Sequence, residues 1–325
     1  MIITRTPFRI SFCGGGTDLP DYYRENGGCV VSSSIDKYIY ITIAKSFHEN
    51  LTTLKYSTVE VVDDLDFIKH NIFREVLQLY DVHGCEINST SNVPSGTGLG
   101  SSSTFTVGLI GAIRELKKEE ITKAILADEA CDMEINRLGE PIGKQDQYAA
   151  AFGNLNFITF NKDESVSVEP IRLSPEEKKK MSDNLMMFYL GGTRSASKIL
   201  KGYKSKSNAT IGSKKSLSDL AIKLRDRLNG GDIESLGKIL DEGWRIKKSL
   251  SKDVSNQMID EVYDAALSNG AVGGKLLGAG GNGFMLFYVE KEDQQSVRGA
   301  LSKYREFPFN FDDKGFQVIY NDETH

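Results

Sequence analysis

The sequence predicts an α+β protein of two domains, and three observations support this prediction. The chain has 325 residues, about twice the usual length of one domain, with one large domain as the alternative. Segments typical of strands and helices are mixed along it, without the regular alternation of a parallel α/β sheet. The apolar pattern changes near residues 172–184. We therefore expect a first domain over residues 1–178 and a second over residues 179–325.

The first half opens with strands. Residues 1–62 are mainly strand-like, and residues 38–43 alternate polar and apolar side chains at period two. A helix is expected over residues 66–80, with a short strand at 85–87 after it. The remaining elements expected in this half are helices at 101–116 and 119–138 and strands at 156–160 and 166–171.

The second half is richer in helices. Ser174 is typical of an N-cap and predicts a helix over residues 175–182, followed by a buried strand at 185–190. Three helices with apolar periodicity follow, and glycines at 230–231 and at 270 end the first and the third. The elements expected after them are a strand–glycine loop–strand unit, a helix near 293–303 and a strand at 316–319.

Glycine is unusually frequent and unevenly placed. The chain has 31 glycines, against roughly 23 from average usage. Twelve of them lie in three stretches that total 19 residues: 14–16, 96–100 and 273–283. Glycine allows positive φ angles and close approach of the backbone to a ligand. The surplus therefore predicts ligand-binding loops, and its lack of a three-residue period excludes collagen.

Charge and cysteine content exclude several classes of protein. The net charge is −5, whereas a general binder of nucleic acid or anionic membranes is normally basic. No apolar run reaches the ~18 residues of a membrane span, and the N-terminus lacks a signal pattern. The four cysteines form no CxxC pair, so we expect reduced thiols and a cytoplasmic protein. The four histidines have no zinc-site spacing.

The most informative segment is residues 92–104, which joins a strand to a helix beginning near Ser101. Free backbone N–H groups at a helix N-terminus bind anions, and glycines let that backbone lie against a phosphate. The alternative is a flexible loop with a serine N-cap. No GxxxxGK[ST] P-loop is present, and the GxGxxG match at 278–283 precedes a strand rather than the helix of a dinucleotide site.

Three motifs resemble the GHMP small-molecule kinases. The central motif of that family, Pro-x3-Gly-Leu-Gly/Ser-Ser-Ser, is similar to residues 94–102. The first motif resembles residues 6–18, and the third resembles residues 274–283. Residues 14–18, Gly-Gly-Gly-Thr-Asp, are most similar to the kinases of D-glycero-D-manno-heptose 7-phosphate, as are residues 100–107 and 143–148. Galactokinases have an acidic-His pair in place of Gly15-Gly16.

The resemblance implies a fold, an activity and a set of binding residues. It implies a first domain like ribosomal protein S5 domain 2, a ferredoxin-like second domain, and an ATP-dependent kinase with Mg²⁺. The activity implied is phosphorylation of the C1 hydroxyl of the heptose 7-phosphate to the 1,7-bisphosphate. The implied nucleotide-binding residues are Pro94, Gly96, Gly98, Leu99, Gly100, Ser101, Ser102 and Ser103.

The resemblance also implies the catalytic and metal-binding residues. Asp146 is implied as the base, with capping of its helix as the alternative, and Arg9 as the neutralising cation. Ser102 and Glu134 are implied as Mg²⁺ ligands, with a solvated helix face as the alternative for Glu134.

The substrate-binding residues form a larger set. The residues expected to contact the sugar are Gly15, Gly16, Thr17, Asp18, Gly280 and Gly281. For Arg9 and Asp18 the alternative is a surface ion pair. Arg194, Lys198 and Lys144 are the candidates for binding the substrate's own phosphate, and a solvated loop is the alternative for Arg194 and Lys198.

Two other functions remain open from the sequence. One is another anomeric sugar kinase, acting on fucose or galactose, and the other is a silent relative that senses ATP and sugar. Expected partners are the sugar phosphate and ATP, with no nucleic acid and no membrane. A homodimer is left open.

Overall fold

A computed structural model describes residues 1–192 and 208–322, and its mixed sheet and helices confirm the α+β class. The strands, numbered β1 to β12 along the chain, are Ile2–Cys13, Gly28–Lys45, Thr52–Lys55, Val59–Val62, Cys85–Ser91, Leu155–Phe160, Val166–Pro170, Leu185–Tyr189, Ala271–Leu276, Phe284–Val289, Arg305–Glu306 and Gln317–Asn321.

The α-helices of the described residues are numbered α1 to α10: Pro20–Asn26, Asn71–Tyr80, Ser101–Leu116, Lys123–Cys131, Gln145–Phe152, Pro175–Asp183, Asn208–Asn229, Ser235–Leu250, Gln257–Ser268 and Gln294–Ala300. A 3₁₀ turn lies at Leu65–Phe67 and a π-helical segment at Asp132–Arg137.

The larger sheet is organised around the long strand β2. Strand β1 pairs with β2 along its length, while β6 pairs with the first part of β2 and β5 with the second. The remaining strands extend the order to β12-β1-β2-β5-β3-β4, with β7 beside β6. Helix α3 is buried from Ser103 to Ile113 and packs on β1 and β2. The first turn of α3 is thereby held at a fixed place beside β1.

The smaller sheet has the order β11-β8-β10-β9, with antiparallel pairing throughout. Taken in chain order, these are its fourth, first, third and second strands, as the ferredoxin-like resemblance implies. Helix α8 approaches β9 so closely that a Cβ on Gly273 would lie 2.0 Å from the Gly237 carbonyl oxygen. Trp244 of α8 is fully buried in the core of this sheet.

The last strand returns to the larger sheet. Strand β12 pairs antiparallel with β1, on the edge of β1 that β2 leaves free. The ammonium of Met1 forms an ion pair with the carboxylate of Asp322. The domain limits at residues 178 and 179 stay a prediction. Strand β12 belongs to the second half of the chain but completes the sheet of the first half.

Two expected helices differ from the observed ones. The helix expected over residues 66–80 begins at Asn71, because the Glu60 carboxylate accepts the N–H groups of Lys69 and His70 and holds that backbone outside the helix. The helix expected over residues 119–138 begins at Lys123, capped by Thr122, and changes to the π-helical segment after Cys131.

The structure also tests the predictions made for the N-cap at Ser174 and for the cysteines. Ser174 forms a capping box with Glu177 at the start of α6, as its N-cap prediction requires. All four cysteines are free buried thiols. Helix α1 was not expected from the sequence. Among the described helices, none has the length and apolar character needed to cross a membrane.

Candidate active site

A cleft of about 950 Å³ lies between the two sheets. Its walls come from the end of β1, the loop before α3, the start of α5, helix α8 and the glycine loop between β9 and β10. All three glycine-rich stretches of the sequence contribute to these walls. The expected ligand loops therefore meet at one place.

Asp146 and Arg9 form an ion pair inside this cleft. Arg9 Nε donates to Asp146 Oδ1 at 2.8 Å, and Nη2 donates to Oδ2 at 2.6 Å. The third contact of the guanidinium is Nη1 to the Gly98 carbonyl oxygen, at 2.7 Å. Arg9 is buried, whereas the Asp146 side chain keeps 22% of its surface exposed. The carboxylate is thus fixed in orientation and still accessible to a ligand.

Local structure explains why these two side chains meet. Phe8, Ile10 and Phe12 of β1 point into the core, so the alternation of a strand turns Arg9 to the opposite face. Asp146 lies in the first turn of α5, where the helix dipole favours a negative charge. A Cβ on Gly100 would lie only 3.2 Å from Asp146 Oδ2, so glycine keeps the space beside the carboxylate free.

The loop before α3 packs on the third glycine loop by backbone contacts. A Cβ on Gly98 would lie 2.6 Å from the Leu277 carbonyl oxygen, and one on Gly278 would lie 2.5 Å from Gly98 Cα. Both glycines have positive φ angles, +89° and +71°. A Cβ on Gly283 would similarly lie 2.2 Å from the Thr97 carbonyl oxygen. The two loops therefore hold each other in place just before the N-terminus of α3.

The first turn of α3 carries the serines of the central motif. Gly100 is its N-cap residue, with φ +80°, and the Ser101 hydroxyl accepts from the Gly96 N–H at 3.2 Å. Ser102 Oγ donates to Glu134 Oε1 at 2.5 Å. A second donor, Gln147 Nε2, reaches Glu134 Oε2 at 2.7 Å. Backbone N–H groups and hydroxyls at this helix start form an arrangement that can bind phosphate.

Glu134 is a buried carboxyl group on the π-helical segment. Burial raises its pKa to about 7, although hydrogen bonds from Ser102 and Gln147 favour the charged form. Within the described residues no cation pairs with it. It borders a second, smaller cavity of about 290 Å³, which Ser102 also lines. A cation placed there would relieve the cost of the buried charge.

The raised pKa predicts a pH-dependent stability in metal-free protein. The folded protein keeps a proton on Glu134 up to about pH 7, whereas the unfolded chain releases it near its ordinary value of 4.5. Between these values the folded state binds more protons, so the free energy of unfolding falls as the pH rises and then levels off. Glu134→Gln removes this slope and gains up to roughly 3 kcal/mol at pH 8.

Urea unfolding with a chelator at pH 5, 6, 7 and 8 measures this difference. Gln147 can accommodate the new amide, because its Oε1 has no hydrogen-bond partner among the described residues. Exposed Glu292→Gln is the matched control and should follow the wild type. Equal slopes for Glu134→Gln and the wild type would contradict the assigned pKa.

The first glycine motif forms the opposite wall of the cleft. Gly14 and Gly16 have φ angles of +91° and +93°, and a Cβ on Gly14 would lie 2.0 Å from the Cys29 carbonyl oxygen. At Gly15, the nearest atom of the described residues to a Cβ would be Gln145 Nε2, at 3.7 Å. Thr17 is fully buried and bonds to Gly14 and Cys29, so it supports the turn and does not line the cleft.

Asp18 lies under this turn, with one edge toward the cleft. Its Oδ1 accepts from the Gly16 N–H at 2.9 Å, and its Oδ2 accepts from the Gln145 N–H at 3.3 Å. Burial, and next the charge of Asp146, raise the pKa of this carboxyl above its usual value. It has no surface ion pair with Arg9, whose carboxylate partner is Asp146.

The other expected site residues divide into two groups. Pro94, Gly96, Gly98, Gly100, Ser101, Ser102, Ser103, Gly15, Gly16, Asp18 and Gly280 line the main cleft. Leu99 is buried in the core, and Gly281 donates its N–H to Val254 without lining the cleft. Lys144 Nζ donates to the carboxylate of Glu164 at 3.2 Å, so the structure does not bring it into the cleft. Arg194 and Lys198 lie outside the described residues.

Two lysines that sequence reasoning missed line the cleft. Lys275 Nζ donates to the carbonyl oxygens of Ser11 and Phe12, and Lys247 Nζ donates to those of Leu276 and Gly278. Neither pairs with a carboxylate in the part of the chain that the structure describes. Burial lowers the pKa of Lys275 to about 8 and that of Lys247 well below its usual value. Lys275 lies in the third glycine-rich motif, so its position in the sequence could have indicated a residue of the site. Nothing in the sequence around Lys247 indicated such a role.

Comparison with known families gives two matches along the chain. Residues 66–154 match the GHMP kinases N terminal domain, and residues 221–307 match the GHMP kinases C terminal family. The D-glycero-alpha-D-manno-heptose 7-phosphate kinase of Campylobacter jejuni is 32% identical, over 95% of this chain and 96% of that protein. The galactokinase of Pyrococcus furiosus is 25% identical, over 99% of this chain and 98% of that protein.

A solved structure with the same fold spans the whole molecule. The crystal structure of a D-glycero-D-manno-heptose 1-phosphate kinase from Bacteroides thetaiotaomicron superposes with a TM-score of 0.80. It covers 99% of this chain and all of that chain, at 24% sequence identity. This likeness shows that both sheets and their arrangement are shared.

Proposed function

Because the chain belongs to the GHMP kinases and is an ATP-dependent sugar kinase, we propose that it phosphorylates the C1 hydroxyl of D-glycero-D-manno-heptose 7-phosphate. The product is the 1,7-bisphosphate. The Campylobacter jejuni relative, at 32% identity, bears the name of a heptose 7-phosphate kinase and supports the seven-carbon substrate.

One observation supports this substrate above the others: the open wall of the cleft at Gly15. The wall beside Asp18 and Asp146 carries no side chain at Gly15 and Gly16, where galactokinases carry an acidic-His pair. A Cβ at Gly15 would still leave 3.7 Å to the nearest neighbour. A heptose 7-phosphate is larger than a hexose, and a wall without these two side chains leaves more room for it.

The Asp146–Arg9 pair supplies the chemistry for the acceptor hydroxyl. As the new P–O bond forms and the bond to the ADP oxygen breaks, Asp146 takes the proton of the sugar hydroxyl. Arg9 fixes the carboxylate by two hydrogen bonds and offsets negative charge that develops beside it. The third hydrogen bond of Arg9, to the Gly98 carbonyl oxygen, connects Asp146 through Arg9 to the loop before α3.

The helix start at Ser101–Ser103 is proposed to bind the nucleotide phosphates. Ser102 and Glu134 are proposed to hold Mg²⁺, which neutralises phosphate charge when it is bound. The buried Glu134 carboxyl without a cationic partner among the described residues fits this role. Those residues include no group of three or more acidic, His or Cys ligands for a metal. Mg²⁺ commonly takes few protein ligands and retains waters and phosphate oxygens.

The substrate's own phosphate requires cations. We retain Arg194 and Lys198 as the residues proposed to bind this phosphate, because Lys144 forms an ion pair with Glu164. Lys247 and Lys275 line the cleft together with Arg9, whose charge contributes to lowering the pKa of both lysines. We therefore propose that these two lysines offset the negative charge of the transferred phosphoryl group.

An ADP-release assay over a panel of sugars and sugar phosphates tests the proposed substrate. The expected result is the highest kcat/KM for D-glycero-D-manno-heptose 7-phosphate, with a phosphorus NMR signal for a new anomeric phosphate. A higher value for fucose, galactose or a heptose 1-phosphate would replace the proposed substrate and leave the sugar kinase activity standing. Arg194→Ala should raise the KM for the 7-phosphate alone.

A further inference from the structure

Two buried polar atoms in the cleft have no hydrogen-bond partner among the described residues. They are Ser11 Oγ, on a residue that is 6% exposed, and Gln145 Oε1. Both residues line the cleft. Leaving such atoms unpaired costs about 1–3 kcal/mol each, so a site that retains them gains by binding a ligand that pairs with them.

The two side chains flank the same open point. A methyl group placed on Gly15 would lie 3.8 Å from Ser11 Oγ, 3.7 Å from Gln145 Nε2 and 4.0 Å from Gln145 Oε1. These are ordinary contact distances for one non-hydrogen atom. Gly15 itself has no positive φ that would require glycine. The space above Gly15 therefore holds one small group between two polar side chains.

Backbone contacts hold both side chains in place. The Ser11 carbonyl accepts from Lys275 Nζ at 2.7 Å, and its strand partner in β2 is Ser32. Gln145 is the first residue of α5, and its N–H donates to Asp18 Oδ2. Ser11 follows Arg9 by two positions on β1 and so shares its cleft-facing side. Gln145 directly precedes Asp146.

The chemistry of the two atoms selects the ligand group. An amide oxygen only accepts hydrogen bonds, whereas a hydroxyl such as that of Ser11 both donates and accepts. A phosphate or carboxylate offers acceptors alone and cannot pair with Gln145 Oε1. The nearby carboxylates of Asp18 and Asp146 also disfavour an anion here. A sugar hydroxyl donates and accepts, and it meets both requirements.

We propose that Ser11, Gln145 and the space above Gly15 form a hydroxyl-recognition subsite for the sugar. One secondary hydroxyl of the substrate lies over Gly15, donates to Gln145 Oε1 and accepts from Ser11 Oγ. This subsite selects among sugars by hydroxyl position, separately from binding of the substrate's phosphate. The inference rests on the sugar kinase activity, not on the sugar being a heptose.

Three substitutions test the subsite: Ser11→Ala, Gln145→Met and Gly15→Ala. Each should lower kcat/KM for the preferred sugar about 10- to 100-fold, mainly through KM, with the KM for ATP unchanged. The melting temperature should not fall below the wild-type value, because the first two changes remove costly unpaired atoms and the third adds a methyl without a clash among the described residues. Ser33→Ala, a buried serine outside the cleft, and Gly299→Ala are the matched controls.

Monodeoxy analogues of the preferred sugar identify the hydroxyl. One analogue should lose about the same factor in kcat/KM with the wild type, and for it Ser11→Ala and Gln145→Met should add no further loss. The proposal is overturned if the variants act like the wild type, or if they lose one constant factor on every analogue. A lowered melting temperature with such a constant loss assigns a structural role instead. If heptose 7-phosphate is not the best substrate, the same series is run on the sugar that is.

Discussion

In an ADP-release assay, Asp146→Asn turns over about 10² to 10⁴ times more slowly than the wild type. The substitution keeps the size of the side chain and one oxygen for Arg9 but removes the group that can accept a proton. Both Arg9 hydrogen bonds to the carboxylate, at 2.8 and 2.6 Å, show that it is held in one orientation. The loss should therefore appear in kcat, with little change in the KM for ATP or the sugar.

The control for this experiment is Asp163→Asn. Asp163 is an exposed aspartate in the turn between β6 and β7, and its one hydrogen-bond partner in the described part of the chain is Ser165. Its substitution should leave turnover at the wild-type rate. Equal turnover of Asp146→Asn and the wild type would show that another group accepts the proton, and the role proposed for Asp146 would then be wrong.

Gly98→Ala is expected to destabilise the protein by about 3 kcal/mol and to abolish most of the activity. Two costs combine at this position. A non-glycine residue at φ +89° costs about 1 kcal/mol, and the new Cβ would lie 2.6 Å from the Leu277 carbonyl oxygen. Relieving this overlap requires a backbone shift, which costs roughly 2 kcal/mol more. The shift would move the Gly98 carbonyl away from Arg9 Nη1.

Gly191→Ala separates these two costs. Gly191 has the same φ of +89°, but among the described residues a Cβ there would meet nothing within 4 Å. Urea unfolding should show a loss of about 1 kcal/mol for Gly191→Ala and about three times as much for Gly98→Ala. Equal losses would mean that the contact between the two glycine loops is not tight in solution.

Local sequence patterns predicted most of the fold well, and phosphate binding by the loop before α3 stays a prediction. Capping residues, period-two alternation and glycines at helix ends act over a few residues, and Ser174 shows this plainly. The start of α2 was missed because it depends on Glu60, a residue ten positions away that accepts two backbone N–H groups. The π-helical segment that carries Glu134 was likewise expected as an ordinary α-helix.

In the candidate site too, features set by local sequence were predicted, whereas features that depend on long-range contacts were not. The family resemblance brought Arg9, Asp18, Asp146 and Gly98 into consideration, and all of them line the cleft. Lys144 was a candidate on charge alone, and its pairing with Glu164 arises from a long-range contact between α5 and the β6–β7 turn. Ser11 and Gln145 could have been found by position, since one follows Arg9 at the strand period and the other precedes Asp146.

The pairing of β12 with β1 has a consequence for the order of folding during synthesis. Residues 317–321 leave the ribosome after all the other described strands, so the outer edge of β1 has no partner until then. An unpaired strand edge is prone to associate with other chains. Chains truncated before residue 317 should therefore aggregate even though the smaller sheet is complete. The strand that carries Arg9 is completed by a strand that is made after all the other described strands.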